Sequence, residues 1–214
     1  MLQRVSFKVA DREIEGVLHL PDTETIGGAT VLHGFGGHPD QPHVIATSVA
    51  LATAGVAALR FAFRDHQPPT MTFETALADT AAAIRLLRAH PQVPERVGVV
   101  GFSFGGAVAA LAAGRDSRMR AAVLAAAPAS FGKDPKWKPL AELSRTRARV
   151  LLIWGSRDTQ VPFEHAERYA TVLSQAHVKH QIVVVEGGDH DFSPTGPRAK
   201  MAAVVATWLR DHLS

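Results

Sequence analysis

The sequence predicts an α/β protein, a mostly parallel eight-stranded sheet flanked by helices. Three observations carry this. Short apolar runs of β type alternate with longer stretches of helical periodicity, the order that strand–crossover–strand units produce. Runs such as Val97–Phe102 are apolar without alternation, as strands buried on both faces are. At 46% hydrophobic and 20% charged, the 214 residues supply ample material for one core.

The elements follow in chain order. Arg4–Ala10 and Ile14–Leu20 read as a leading hairpin, and Ala29–His33 as a short buried strand ending in glycines. Val56–Phe63 is the next strand. Phe73–His90 is a helix, because Phe73, Leu77, Ile84 and Leu87 repeat at helical spacing behind Thr72 as N-cap. Val97–Phe102 is a strand and Ala107–Ala113 an alanine-rich helix. Ala121–Ala127 and Val150–Trp154 are strands around a polar stretch, Ala129–Arg149, which reads as a short lid-like insertion. Pro162–Ser174 is a helix with proline near its first turn. Gln181–Glu186 is the last strand. Met201, Val204, Val205, Trp208 and Leu209 mark one face of a closing helix. No repeat or low-complexity linker divides the chain, so residues 1–214 are expected to form one domain.

Composition removes several classes. With no cysteine, neither a disulfide framework nor a thiolate metal site can form. The N-terminal MLQRVSFKVADREIEG lacks an apolar signal region, and no run reaches the roughly 18 apolar residues of a membrane helix. The expectation is therefore a cytoplasmic location and no membrane partner. The net charge of +3 comes from scattered Lys and Arg, apart from a loose cluster between Lys133 and Arg149. That cluster reads as solvated surface, so no nucleic-acid partner is expected. Oligomeric state is left open.

In folds of this class the functional loops leave the carboxyl ends of the parallel strands. Four of those loops carry chemistry. Val97–Phe102 runs into Gly101-x-Ser103-x-Gly105, between a strand and a helix. The G-x-S-x-G pattern places a serine on a sharp turn with its oxygen exposed, and the following helix presents N–H groups to developing negative charge. A tight turn with a serine N-cap is the plain structural alternative. The strand at Ala29–Leu32 runs into His33-Gly34-Phe35-Gly36-Gly37, a glycine-rich turn or an oxyanion loop. Taken together, the two loops nominate the N–H groups of Phe35 and Phe104 as oxyanion donors. Val150–Trp154 is followed by Asp158, which reads either as the acid orienting a histidine or as a turn aspartate. The last strand is followed by Gly187-Gly188-Asp189-His190-Asp191, and His190 is the candidate base. Asp189 and Asp191 sit too near His190 in sequence to face its ring well, so Asp158 is the preferred acid. The order Ser103, Asp158, His190 is the one expected of this strand–turn–helix class.

Three further assignments are weaker in their residues. The side chains of Phe35, Phe102 and Phe104 are expected to wall an apolar acyl pocket, with core the equal reading for Phe102, which is still near its strand. Arg64, in Arg64-Asp65-His66, is assigned to substrate, although a solvated polar turn is the commoner reading of that loop. No metal site is expected, because His33, His38, His43 and His66 show no ligand spacing.

HGFGG, GFSFGG, GSRDTQVP and GGDHDF stand in the order and spacing of serine α/β-hydrolases. The chain resembles the small carboxylesterases related to cinnamoyl and feruloyl esterases and the serine aminopeptidase-like hydrolases, from about Gly27 to the C-terminal helix. The resemblance implies the α/β-hydrolase fold, a Ser103–Asp158–His190 triad, no cofactor and a small-molecule ester substrate. It departs in having too short an insertion at Ala129–Arg149 for a full helical cap, and Arg64-Asp65-His66-Gln67-Pro68-Pro69 where relatives often have Gly-x-Gly. A compact core with a short lid is also similar to dienelactone-hydrolase-like and acyl-thioesterase-like enzymes, so thioester or peptide cleavage by the same triad is the alternative. Dienelactone hydrolases proper use a cysteine nucleophile, which this chain lacks.

Overall fold

The computed structural model describes residues 1–65, 70–130 and 137–214. The leading hairpin forms as β1 (Leu2–Val9) and β2 (Arg12–His19). Then come β3 (Gly27–Leu32), α1 (Pro42–Thr53), β4 (Val56–Phe61), α2 (Phe73–Ala89), β5 (Val97–Phe102) and α3 (Phe104–Arg115). They are followed by β6 (Ala121–Ala125), α4 (Pro139–Leu143), β7 (Arg149–Gly155), α5 (Glu164–Gln175), β8 (His180–Val185) and α6 (Thr195–Leu213).

The eight strands lie in the order β1-β2-β4-β3-β5-β6-β7-β8. β2 pairs antiparallel with β1 and with β4, and the pairings from β4 to β8 are parallel. The sheet is thus mixed, its antiparallel part confined to the hairpin edge. The chain moves outward from β3 to β4, then returns to the other side of β3 to lay down β5. That reversal is a topological switch point, where the loops after two adjacent strands part and leave a crevice. The register sets Leu32 opposite Gly101, so the loop at His33 and the turn at Ser103 leave the sheet side by side.

Successive residues of the inner strands feed opposite faces. On β5, Val97 and Val99 join one apolar cluster with α2 and α3, while Val100 and Phe102 join the other with α1 and α6. Thr72 caps α2 by accepting the Thr75 N–H at 3.2 Å, worth about 1 kcal/mol. The sequence reading did not anticipate α1 or the five-residue α4. From 137 to 149 the insertion is fastened to α3. Leu143 is fully buried, the Thr146 hydroxyl donates to the Ala113 carbonyl at 2.8 Å, and Glu142 lies 3.1 Å from Arg115. Residues 131–136 of the expected lid lie outside the described residues. Among the described residues no helix is long and apolar enough to cross a membrane.

Candidate active site

Ser103 stands between the end of β5 and the start of α3 with φ 51° and ψ −119°. A side-chain-bearing residue rarely adopts that conformation, which costs about 1–3 kcal/mol. The neighbours enforce it. The Ser103 N–H donates to the Ala125 carbonyl of β6 at 2.8 Å, and the Ser103 carbonyl accepts from Gly106 at 2.9 Å. Strand and helix then pass so closely that a Cβ on Gly101 would collide with the Gly105 carbonyl, and one on Gly105 would stand 2.5 Å from the His33 carbonyl. Gly34 packs against the serine, since a Cβ there would meet Ser103 Cβ at 3.4 Å.

The loop after β3 is held by His33, which is fully buried. Its Nε2 accepts the Phe63 N–H at 3.2 Å, which puts the ring proton on Nδ1, 2.8 Å from the Gly34 carbonyl. Gly37 N–H donates to the same carbonyl at 3.1 Å. A trans peptide sets its N–H opposite its carbonyl, so anchoring the Gly34 carbonyl on His33 turns the Phe35 N–H the other way. The far end of the loop is tied down by Arg60 of β4, which bonds the Pro39 carbonyl at 3.3 Å and the Asp40 carboxylate. A 550 Å³ groove lined by His38, Asp40 and Arg60 opens beside this loop, and Ser103 does not line it.

Asp158 and His190 meet across the ends of β7 and β8. His190 Nδ1 lies 2.9 Å from Asp158 Oδ2, and the two side chains are 9% and 1% exposed. The other carboxylate oxygen accepts the Gln160 and Val161 N–H groups, each at 2.9 Å. Burial alone would raise the Asp158 carboxyl, but the hydrogen bond from His190 and these two N–H groups outweigh it and hold it below its ordinary range. Burial alone would lower His190, but the Asp158 hydrogen bond and charge, assisted by Asp191 and Asp189, move it above 6.5. Asp189 is occupied otherwise, accepting the Ser193 N–H at 2.7 Å. The two loops are laced together: Arg157 N–H donates to the Gly188 carbonyl at 2.8 Å and Gly187 N–H to the Ser156 hydroxyl at 2.9 Å.

Ring contacts bring the His190 loop to the serine elbow. Phe192 lies 6.5 Å from Phe102, the residue before Ser103, and His43 of α1 lies 4.6 Å from the same ring. His43 is 3% exposed; burial lowers it to about 4, against the opposing pull of Asp191, so it is neutral at ordinary pH. Sequence reasoning weighed His43 only as a metal ligand and missed this packing role. The Ser103 hydroxyl makes no hydrogen bond to His190 among the described contacts. Apo geometry of this kind commonly closes only around substrate.

Two substrate assignments are corrected. The Phe104 ring is 1% exposed, stacked on Phe73 at 4.6 Å, which makes it core; only its backbone is left to the site. Arg64 is turned inward, because Asp79 of α2 is wholly buried and needs a cation. Arg64 Nε lies 2.9 Å from Asp79 Oδ1, Arg64 N–H donates to Oδ2 at 3.0 Å, and a guanidinium nitrogen reaches the Val9 carbonyl. Burial raises Asp79 to about 6 even so. Phe35 is 43% exposed, with its ring 5.8 Å from Phe104. His66 lies outside the described residues, and among the rest no three side chains of metal-ligating type converge.

The model of the dienelactone hydrolase family matches residues 66–212. A putative carboxymethylenebutenolidase of Synechocystis sp. is 28% identical over 118 residues, 54% of this chain and 48% of that protein, so the chain spans about half the length of this relative. Two solved structures share the fold over nearly the whole chain. Dienelactone hydrolase from Anabaena variabilis has 22% identity and a TM-score of 0.83, covering 100% of this chain and 99% of that one. Est1E from Butyrivibrio proteoclasticus has 18% identity and a TM-score of 0.81, covering 98% of each chain.

Proposed function

The chain belongs to the dienelactone hydrolase family, and on that premise we propose that it is a serine hydrolase cleaving carboxylic esters of small to medium acyl or aryl groups through an acyl-enzyme. The observation that carries the proposal is the buried Asp158–His190 hydrogen bond at the ends of β7 and β8; the strained turn that holds Ser103 at φ 51° after β5 supports it. The nucleophile cannot be a thiolate, because the chain has no cysteine.

The steps follow from the parts. Asp158 holds the proton of His190 on Nδ1 and leaves Nε2 as the base. Ser103 Oγ turns to bond the acyl carbon while its proton passes to Nε2. The oxyanion that forms is held by the N–H groups of Phe35 and Phe104, of which the first is oriented through His33. Collapse breaks the bond to the alkoxy oxygen, which takes the proton from His190. Water then repeats the sequence on the acyl-enzyme, releasing the acid and restoring Ser103. The exposed Phe35 ring supplies the apolar wall.

The test is hydrolysis of p-nitrophenyl acetate and butyrate. Ser103→Ala is expected to lose about a million-fold in kcat, falling to background. Equal turnover by variant and wild type would sink the proposal. A fluorophosphonate should label the wild type and spare the variant. A matched panel of oxygen esters, acyl thioesters and aminoacyl amides ranks the leaving groups that the triad alone does not distinguish.

A further inference from the structure

At the opposite end of the sheet from Ser103, five arginines line a 360 Å³ basin: Arg88, Arg96, Arg118, Arg120 and Arg147. They come from the last turn of α2 and from the segments that enter β5, β6 and β7. Backbone bonds fix those segments to one another. Arg120 N–H donates to the Val97 carbonyl, Arg149 N–H to the Arg120 carbonyl and Gly28 N–H to the Arg96 carbonyl, each at 3.0 Å. The basin thus stands on the rigid frame of the sheet, not on a loop tip.

The charges are poorly compensated. Arg88 pairs with Asp116 at 2.7 Å, and Glu95 lines the rim. Among the described residues Arg96, Arg118, Arg120 and Arg147 have no ion-pair partner. Five cations facing two carboxylates leave three net positive charges here, equal to the formal net charge of the whole chain. The Arg88 side chain is only 10% exposed and is held by its ion pair with Asp116. Arg88 also lines an adjoining 660 Å³ hollow that shares Ser117 and Arg118 with the basin.

We propose that this basin is a binding site for an oligophosphate anion. Guanidinium groups match phosphate oxygens two bonds at a time, and several phosphates in a row would neutralise the cluster. The site faces away from Ser103, so the ligand is an effector or tether and not the ester substrate.

The probe is inorganic tripolyphosphate, titrated calorimetrically into the 214-residue chain at low salt. One saturable site is expected, weakening as sodium chloride is added. Arg118→Ala/Arg120→Ala should weaken binding about tenfold or more, because each lost guanidinium removes charge-assisted bonds. Lys8→Ala/Lys200→Ala, which removes the same charge from exposed positions elsewhere, should stay within about twofold. Thermal melting reports folding of each variant, and Arg96→Ala/Arg147→Ala replaces the first pair if that pair melts early. No saturable heat, or an equal loss from the arginine and lysine pairs, overturns the proposal.

Discussion

His190 and Asp158 titrate against one another, and the signs of their shifts have separate consequences. His190 is raised above 6.5, so the stability it contributes is fully present below 6.5 and is lost as pH rises through its folded value. Asp158 is lowered below 3.8, so its contribution is present above 3.8 and is lost as pH falls through its own folded value. Between those limits the pair is charged and folded stability gains from both. The proposed mechanism needs the opposite state of the ring, since in it only neutral His190 accepts the serine proton. The acid limb of kcat/KM for p-nitrophenyl acetate is therefore expected to have its midpoint above 6.5, and a midpoint below 6.5 would contradict the pairing. Urea midpoints should fall as pH rises beyond 6.5, and His190→Ala should remove that fall. These residues were legible in the sequence because each follows a strand in a fixed order. Arg64 and Phe104 misled for a related reason. A motif says which loop a residue occupies, not which way its side chain turns, and the demand of Asp79 for a cation comes from fifteen positions further along the chain.

At the scale of elements, the eight strands and four of the six helices among the described residues were readable from apolar runs and helical spacing. α1 was not, because its buried face carries His43, Thr47 and Ser48 beside Val44 and Leu51. Those hydroxyls are satisfied locally, Thr47 on the His43 carbonyl at 2.8 Å and Ser48 on the Val44 carbonyl at 2.9 Å. A helix that buries its own back-bonded hydroxyls lacks the apolar stripe that periodicity detects. α4 spans five residues, too short for any period to show. The strand–helix crossing at Gly101 and Gly105 makes a sharper claim. A methyl group at 101 must push the helix off the strand, so Gly101→Ala should destabilise by about 3 kcal/mol and displace the Ser103 turn. Urea unfolding followed by the turnover of the folded fraction tests both parts. A variant of full stability and full rate would show that the elbow tolerates a side chain it has no room for.

Over the whole molecule, the alternating order of strands and helices foretold the layers. The switch point at β3 and β5 could not be read, because strand order depends on which neighbour each crossover chooses. We propose that the chain is one domain, since a single sheet separates and supports both apolar clusters. The molecule is also polarised: ester chemistry is proposed at one end of the strands and anion capture at the other, with the sheet between them. The backbone at Ser103 has a consequence for the folded state as a whole. Among the described residues its side chain has no hydrogen-bond partner, while its φ of 51° suits glycine better than serine. Ser103→Gly should therefore melt about 3 °C higher, a net gain of about 1 kcal/mol after the added chain freedom of glycine is subtracted. An inert protein that outlasts the active one on heating would mark position 103 as a place where durability was surrendered for reactivity.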